Sequence, residues 1–316
     1  MKMIDFHCDT MLRIFDEEPD TCLFKNNFQV DIEKLRKNNS LGQFFALFID
    51  LEELKERNLN TWEYTMGMHK RFIDEISKNE NEISLVRNWN ELELAEREGK
   101  IGGFLTVEEG GIIENDESRL DTLYDLGIRL ITLTWNYENS LGFPNGQKYE
   151  GKGLTTFGKS IVEKMNEKGM LVDVSHLSDQ GFYDVSEISN KPFIASHSCA
   201  REVWNHGRNL TDDMLKTLGE KGGLVGLNFC PKFLNKDSRC TIESLVQHGA
   251  HMINKAGIES VGIGTDFDGV TGFMEIENIA QMDKLYDGFK KAGYTESQLE
   301  KIWFENGKRI IREVLK

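Results

Sequence analysis

The sequence predicts a (β/α)8 barrel, and two features of its hydrophobic pattern indicate this fold class. Eight short runs are almost continuously apolar and rich in β-branched residues, as expected for parallel strands that are covered on both faces. Segments with helical periodicity and many charges separate most of these runs. Eight such units in one chain favour a closed barrel, although an open doubly wound sheet remains an alternative. The runs are MIDF (3–6), QFFALFI (43–49), IGGFLTV (101–107), IRLITLT (128–134), MLVDVS (170–175), PFIAS (192–196), GLVGLNF (223–229) and SVGIGT (260–265).

The predicted helices have recognisable ends. Thr155 and Thr211 are suited to cap a helix start, and Gly127, Gly169 and Gly257 are suited to end one. The segment 295–315, near the C-terminus, is expected to form the closing helical layer. One more apolar segment, ISLVR (83–87), reads as a strand without a clear place in the barrel. The main helical segments are 31–38, 62–78, 117–127, 155–169, 211–222 and 242–257.

Composition indicates one globular domain over residues 1–316. Hydrophobic residues make up 39% of the chain, only four prolines occur, and no Gly/Ser-rich or Pro-rich linker interrupts it. The net charge of −15 argues against nucleic acid and anionic membrane surfaces as partners. The start of the chain lacks a signal-peptide pattern, no apolar run reaches the roughly 18 residues of a membrane span, and the five cysteines form no C-x-x-C pair. We therefore expect a cytoplasmic protein.

Polar residues follow five of the eight predicted strands at the point where each strand ends. Active sites of β/α barrels lie at the carboxyl ends of their strands. Three of the seven histidines occupy this position on three different strands, which is the strongest indication of a site in the sequence. The rim residues are His7-Cys8-Asp9, Glu108-Glu109-Gly110-Gly111, His176, His197 and Asp266-Phe267-Asp268.

The rim residues have the chemistry of a transition-metal site. His7 and Asp9 are two positions apart, so both side chains can reach one ion while Cys8 points away. Imidazole and carboxylate together suit Zn²⁺, Mn²⁺ or Co²⁺ better than Ca²⁺. A glutamate can bridge two cations, but spacing alone does not choose between Glu108 and Glu109. Each of these residues taken singly is more often a polar strand end or a solvated loop acid.

A catalytic arrangement follows if two ions bind at this rim. Two cations about 3.5 Å apart activate a water and polarise a carbonyl. Asp266 could take the proton from that water and pass it to a leaving amine, while Asp268 could do so instead or only anchor the loop. Arg208 could hold a substrate carboxylate, although a surface arginine near a helix start is an equally good reading. We take His69, His248 and His251 as packing or surface residues, with His206 left open.

The chain resembles the renal (membrane) dipeptidase family of zinc peptidases, a branch of the amidohydrolase-like barrels. The resemblance rests on stretches that run nearly from end to end: DFHCDT, VEEGG, LGIRLITLTWNYENSLG, GLTTFGKSIVEKMNEKGMLVDVSH, PFIASHSCAREVWNHGRNLTDDML, GLVGLNF and VGIGTDFDGV. It implies two zinc ions, with His7 and Asp9 on one metal and His176 and His197 on the other. It also implies that Glu109, rather than Glu108, bridges them.

The resemblance further implies a function. Members hydrolyse dipeptides, often tolerate a D-residue at the C-terminal position, and in many cases form homodimers. Asp266 would be the proton shuttle and Arg208 the carboxylate-binding residue. Where many members have a histidine that contacts the scissile carbonyl, this chain has Trp135, whose indole N–H can only donate a hydrogen bond. We expect hydrolysis to survive this change, and we expect Trp135 and Asp268 to contact substrate.

Three other functions are compatible with parts of this pattern. A relative could act on another amide, such as an N-acyl amino acid or a lactam. The chain could instead hold metal without catalysis, with Trp135 as the trace of that loss, but such a protein would need neither Asp266 nor Arg208. A phosphate-binding barrel synthase is disfavoured because Gly222-Gly223 precedes a strand rather than following one.

Overall fold

Eight parallel strands close into a ring in the computed structural model, which describes residues 1–316. The ring strands are β1 (Met3–Cys8), β2 (Ser40–Phe48), β4 (Ile101–Glu108), β5 (Ile128–Thr132), β6 (Leu171–Asp173), β7 (Ile194–Ser198), β8 (Leu224–Leu227) and β10 (Val261–Ile263). The strand β2 pairs with β1 on one side and with β4 on the other, and β10 pairs with both β1 and β8, so the ring has no free edge. All eight apolar runs lie on ring strands, and the predicted (β/α)8 barrel is confirmed.

Three short strands lie outside the ring. The segment that had no clear place forms β3 (Ile83–Leu85), which pairs with Ile101–Gly103 at the start of β4. The ring strand β5 pairs with β4 only from Leu105 onward, so β3 occupies backbone that β5 leaves free. Two other strands, β9 (Arg239–Cys240) and β11 (Phe273–Met274), pair with each other in the loops.

Helices surround the ring, and their ends agree with the sequence signals. Thr155 and Thr211 each cap a helix by accepting a backbone N–H bond, and Gly169 ends its helix with a φ of 75°. The predicted tail helix contains a five-residue π-helical turn at Lys301–Glu305. The α-helices are α1 (Thr10–Leu12), α2 (Ile32–Lys37), α3 (Leu51–Glu56), α4 (Thr61–Lys78), α5 (Trp89–Arg97), α6 (Ser118–Asp125), α7 (Thr156–Lys168), α8 (Asp179–Ile188), α9 (Asp212–Glu220), α10 (Pro231–Leu234), α11 (Ile242–Ala256), α12 (Asp283–Lys291), α13 (Glu296–Glu300) and α14 (Asn306–Val314). None of these helices is both long enough and apolar enough to cross a bilayer.

The barrel interior is filled by its own apolar cluster. Phe44 stacks between Phe6 and Phe104, with ring centroids 4.7 and 4.3 Å apart, and this cluster continues into α5 and α14 at the amino end of the strands. A larger cluster of 64 buried residues lies between the ring and the outer helices. The interior is therefore a packed core, and only the carboxyl end of the ring remains available for polar groups.

Side-chain alternation along β4 decides which glutamate reaches the interior. Phe104 belongs to the interior cluster, whereas Leu105 and Val107 belong to the outer cluster beneath the helices. Because successive side chains on a strand point to opposite faces, Glu108 shares the inner face with Phe104. The same alternation gives β6 an inner pair, Leu171 and Asp173.

Candidate active site

Three histidines and one glutamate meet at the carboxyl end of the ring. The Nε2 atom of His7 lies 3.2 Å from Oε2 of Glu108, while Nε2 of His176 lies 3.1 Å from the other oxygen, Oε1. His197 Nε2 is 3.4 Å from Oε1, and Asp9 Oδ2 is 3.3 Å from His7 Nε2. All five residues are buried. Glu108 thus presents one oxygen to His7 and the other to His176 and His197, as a carboxylate that bridges two cations must do.

The structure corrects the expectation that Glu109 is the bridge. Its Oε1 accepts the N–H of Gly111 at 2.6 Å and a bond from the Asn139 side chain, and its Oε2 accepts the N–H of Trp135 at 3.1 Å. Glu109 follows β4 with the parity of Leu105 and Val107 and has a φ of 109°, so its carboxylate turns away from the histidines and into the turn. Glu109 therefore fixes the loops around the site, and Glu108 is the glutamate whose two oxygens face the histidines.

The donor set fits divalent cations. Both ring nitrogens of His7 and Oδ1 of Asp9 are buried without a hydrogen-bond partner, which is costly unless another ligand satisfies them. Burial lowers the pKa of His176 to about 4 and the pKa of His197 well below its ordinary value, so both imidazoles are neutral and able to coordinate. Imidazole nitrogens with carboxylate oxygens suit zinc and similar transition metals.

Hydrogen bonds behind the histidines set their orientation. The Nδ1 atom of His197 lies 2.7 Å from Oγ of Ser196, and that hydroxyl donates to Oδ2 of Asp173 at 2.6 Å. The Nδ1 atom of His176 faces Oδ1 of Asn136 at 3.2 Å. In both His176 and His197 an oxygen acceptor engages Nδ1, which leaves Nε2 free to coordinate at the centre.

Asp266 lies beside this centre on the last ring strand's loop. Its Oδ1 is 3.8 Å from Nε2 of His7, and its Oδ2 accepts a bond of 3.0 Å from the side chain of Asn228. Burial raises the pKa of Asp266 to about 7. Its φ of 61° is unusual for a residue with a side chain, which indicates that the surrounding structure holds it in place.

Asp268 has a different environment from Asp266. Its carboxylate accepts bonds from Thr10 Oγ1 at 2.6 Å and from the backbone N–H groups of Gln29 and Val30 at 2.7 and 3.2 Å. It borders the same cavity as the histidines, but its oxygens are engaged in joining the β10 loop to the segment before α2. This geometry supports the anchoring alternative over a role as proton acceptor.

A cavity of about 670 Å³ opens above the centre and is lined by all three residues predicted to contact substrate, Arg208, Trp135 and Asp268. The Arg208 guanidinium is buried and has no carboxylate partner. It donates hydrogen bonds only to the His197 carbonyl oxygen at 3.2 Å and to Ser198 Oγ at 3.5 Å. The Trp135 ring packs edge-on against Phe48, with centroids 4.9 Å apart, and its indole N–H makes no hydrogen bond to the protein. Both donors are therefore available to a ligand in the cavity.

A comparison with known families identifies the chain's relatives. The model of the membrane dipeptidase family, peptidase family M19, matches residues 1–316.

The chain belongs to the membrane dipeptidase family.

Other family relatives agree with this assignment. An uncharacterized protein in the pqqA 5′ region of Klebsiella pneumoniae is 32% identical over 229 residues, which cover 69% of this chain and 84% of that protein. A metallopeptidase from Rhodobacter sphaeroides, solved with a phosphinate mimic of the dipeptide L-Ala-D-Ala, superposes with a TM-score of 0.90 at 25% identity and 99% coverage of both chains. Another solved M19 metallopeptidase, described as dipeptidase AC, gives 0.91 at 25% identity, with 100% of this chain and 99% of that chain covered. The chain is thus a metallopeptidase-family member, and use of divalent metal is the family's property.

Of the four remaining histidines of this membrane dipeptidase family member, one borders the cavity and three lie elsewhere. His206 borders the cavity, whereas His69 faces the Leu126 carbonyl, His248 is buried beneath Ala200, and His251 pairs with Asp212.

Four residues at or behind the site were not predicted from the sequence: Asn228, Asp173, Ser196 and Lys232. Ser196 directly precedes His197, and Asp173 lies three residues before His176, so closeness to a candidate histidine is a usable signal for both. Nothing in the sequence marks Lys232.

Proposed function

We propose that this chain is a dipeptidase that hydrolyses the amide bond of dipeptides with two divalent metal ions. The observation that carries the proposal is Glu108, whose two oxygens face different histidines beneath a cavity that contains an unpaired, buried arginine. His7, Asp9 and Glu108 would hold one ion, and Glu108, His176 and His197 the other. When bound, such a pair of ions polarises a carbonyl and lowers the pKa of water.

Asp266 is placed to move the proton in this reaction. Its Oδ1 faces the metal ligands, and the Asn228 amide holds Oδ2 in a fixed orientation. A carboxyl whose pKa lies near 7 can accept a proton from the attacking water and then donate it to the leaving amine. Hydrolysis needs both transfers. Asp9 and Glu108 would be taken up by the metals, and Asp268 is engaged in structural hydrogen bonds, which leaves Asp266 for the proton.

Arg208 and Trp135 would position the substrate. A guanidinium without a protein carboxylate is suited to bind the C-terminal carboxylate of a dipeptide. The indole N–H of Trp135 would donate one hydrogen bond to the substrate in place of the family histidine. Because Arg208 would recognise the carboxylate rather than the side chain beside it, we propose that a C-terminal D-residue is tolerated, in line with the L-Ala-D-Ala mimic bound by the Rhodobacter relative.

The metal, the compartment and the assembly are finer parts of the same proposal. We propose zinc because three imidazoles dominate the donor set. Five cysteines without a disulfide support a reducing, cytoplasmic setting. The ring is built from strands between residues 3 and 263, and the C-terminal helix α14 packs against Ile4 and Phe6 of the first strand. This arrangement supports a single domain over 1–316. The homodimer stays a prediction of the family resemblance.

The test is hydrolysis of L-Ala-L-Ala and L-Ala-D-Ala by purified protein with added Zn²⁺, compared with a chelator-treated control and with N-acetyl-alanine. Metal-dependent cleavage of either dipeptide is the expected result, and the ratio of the two rates measures the tolerance for a D-residue. Cleavage of the N-acyl amino acid alone would replace the dipeptidase proposal by the other-amide alternative. A fully metallated protein that cleaves none of them would point to a metal-binding protein impaired by Trp135.

A further inference from the structure

One wall of the cavity carries two cations that have no anionic partner in the protein. Arg208 and Lys232 both border the cavity, and neither forms an ion pair. The Lys232 backbone is held by a bond of 3.1 Å from Trp204 Nε1 to its carbonyl, while its side chain makes no hydrogen bond. By contrast, Arg13 on the same cavity rim is neutralised by Glu17 at 2.9 Å. This wall of the cavity therefore carries two positive charges, on Arg208 and Lys232, without a counter-ion from the protein.

The two cations belong to one continuous surface. Phe233 lies under Arg208, whose Cζ is 5.4 Å from the ring centroid, and it packs against His206 at 4.5 Å. The Nδ1 atom of His206 accepts the Arg208 backbone N–H at 3.2 Å. Burial together with the charges of Arg208, Arg201 and Lys232 lowers the pKa of His206, so His206 is neutral and the two cations supply the wall's charge.

The proposed function leaves one of these cations without a ligand. If Arg208 binds the C-terminal carboxylate, the side chain of that same residue would lie in the part of the cavity that is lined by Arg208, Phe233 and Lys232. The other charged residues at the cavity, away from the metal ligands and their neighbouring aspartates, are the Arg13–Glu17 pair and Asp50. An anionic side chain on the substrate would meet a free cation only beside Arg208.

We propose that Lys232 is a specificity residue that selects dipeptides with aspartate or glutamate at the C-terminal position. This inference rests on the proposed dipeptidase function. A lysine that stays hydrated in the free enzyme loses little when a substrate carboxylate replaces part of its hydration, and the partly enclosed cavity strengthens the pairing relative to open water. The acidic protein surface, with a net charge of −15, makes this wall a local exception that an acidic ligand can use.

The experiment compares isosteric substrates that differ only in charge. We would measure kcat/KM of the metal-loaded enzyme for L-Ala-L-Asp against L-Ala-L-Asn and for L-Ala-L-Glu against L-Ala-L-Gln, and repeat both with the D-residue. The acidic substrate is expected to be favoured by about tenfold at low ionic strength, and less at high ionic strength. Lys232→Met should bring the ratio close to one, and Lys232→Glu should invert it. Lys236→Met, an exposed lysine in the same loop that does not border the cavity, should keep the ratio of the unaltered enzyme.

The outcomes separate this inference from the function on which it rests. An active dipeptidase whose acid-to-amide ratio is close to one, or whose preference survives Lys232→Met, overturns the role of Lys232 and leaves the dipeptidase proposal standing. If no dipeptide is cleaved, including L-Ala-L-Ala, the proposed function fails and the substrate preference fails with it. A ratio that changes equally in Lys236→Met would assign the effect to overall charge rather than to the cavity wall.

Discussion

At the scale of single residues, two adjacent glutamates with the same side chain have opposite environments. Glu108 faces three imidazoles, whereas Glu109 accepts hydrogen bonds from two backbone N–H groups and an asparagine. We expect Glu108→Gln to reduce the bound metal and to lower kcat/KM at least about 100-fold, because an amide cannot bridge two cations. Glu109→Gln should keep the metal and lose mainly thermal stability. Metal content by elemental analysis, measured with kcat/KM for each variant, decides between them; depletion only in the Glu109 variant would restore the original assignment.

Asp266 should separate metal binding from turnover. The Asp266→Asn side chain can keep a bond to Asn228 after an amide flip, but it cannot carry a proton between water and amine. We expect the variant to retain its metal and to lose about 10²–10⁴ in kcat. Elemental analysis and steady-state kinetics on the same preparation measure both quantities. Full activity would remove Asp266 from the proton-transfer role.

At the scale of elements, a chain of buried polar groups connects β5, β6 and β7 beneath the proposed metal ligands. Asp173 accepts from Thr132 Oγ1 at 2.6 Å and from the N–H and hydroxyl of Ser196, and Ser196 in turn contacts His197. Ser196→Ala removes the contact that orients His197. We expect metal affinity to weaken about 10- to 100-fold, measured by competition with a chromophoric chelator. Ser186→Ala, a buried serine on α8 with no hydrogen bond to the site, is the matched control; equal affinities in both variants would contradict the orienting role.

The sequence predicted the positions of the strands and helices better than it predicted how neighbouring strands pair. Periodicity located all eight ring strands, and capping residues such as Thr155 and Thr211 located helix starts, because both signals are local. The strand β3 had no visible place because its position depends on where β5 begins to pair with β4. The irregular registers between Asp5 and Cys8 and between Ala195 and Ser198 were also invisible, since a bulge depends on the neighbouring strand.

The sequence of β4 already contains a pattern that distinguishes Glu108 from Glu109. Thr106 and Glu108 form a polar end to the face of β4 that begins with Phe104, while Leu105 and Val107 keep the outer face apolar beneath the helices. Period-two alternation over the last residues of β4 therefore favours Glu108, although the run as a whole reads as continuously apolar. Lys232 could not have been found in this way, because its significance comes from a cavity formed by distant loops.

At the scale of the whole molecule, the buried His248 couples the stability of the fold to pH. It is fully buried on α11, its Nδ1 accepts the Ala200 N–H at 3.1 Å, and its Nε2 lies 2.9 Å from the Leu234 carbonyl, so the neutral ring joins the loops after β7 and β8. Burial lowers the pKa of His248 to about 4. The unfolded chain protonates this group near pH 6.5, whereas the folded protein does so only near pH 4.

The sign of the effect follows from proton uptake. Between pH 6.5 and about 4 the unfolded state binds a proton that the folded state excludes, so the free energy of unfolding falls as the pH falls, by an amount on the order of 3 kcal/mol at most, and the loss is complete below pH 4. We expect His248→Gln to be less stable than the unaltered protein at pH 7.5 but to lose less stability between pH 6.5 and 5. Urea unfolding of both proteins at a fixed metal concentration measures the two slopes, and the titration of the shared metal ligands cancels in their difference. Parallel curves across that interval would show that His248 is not buried in its neutral form.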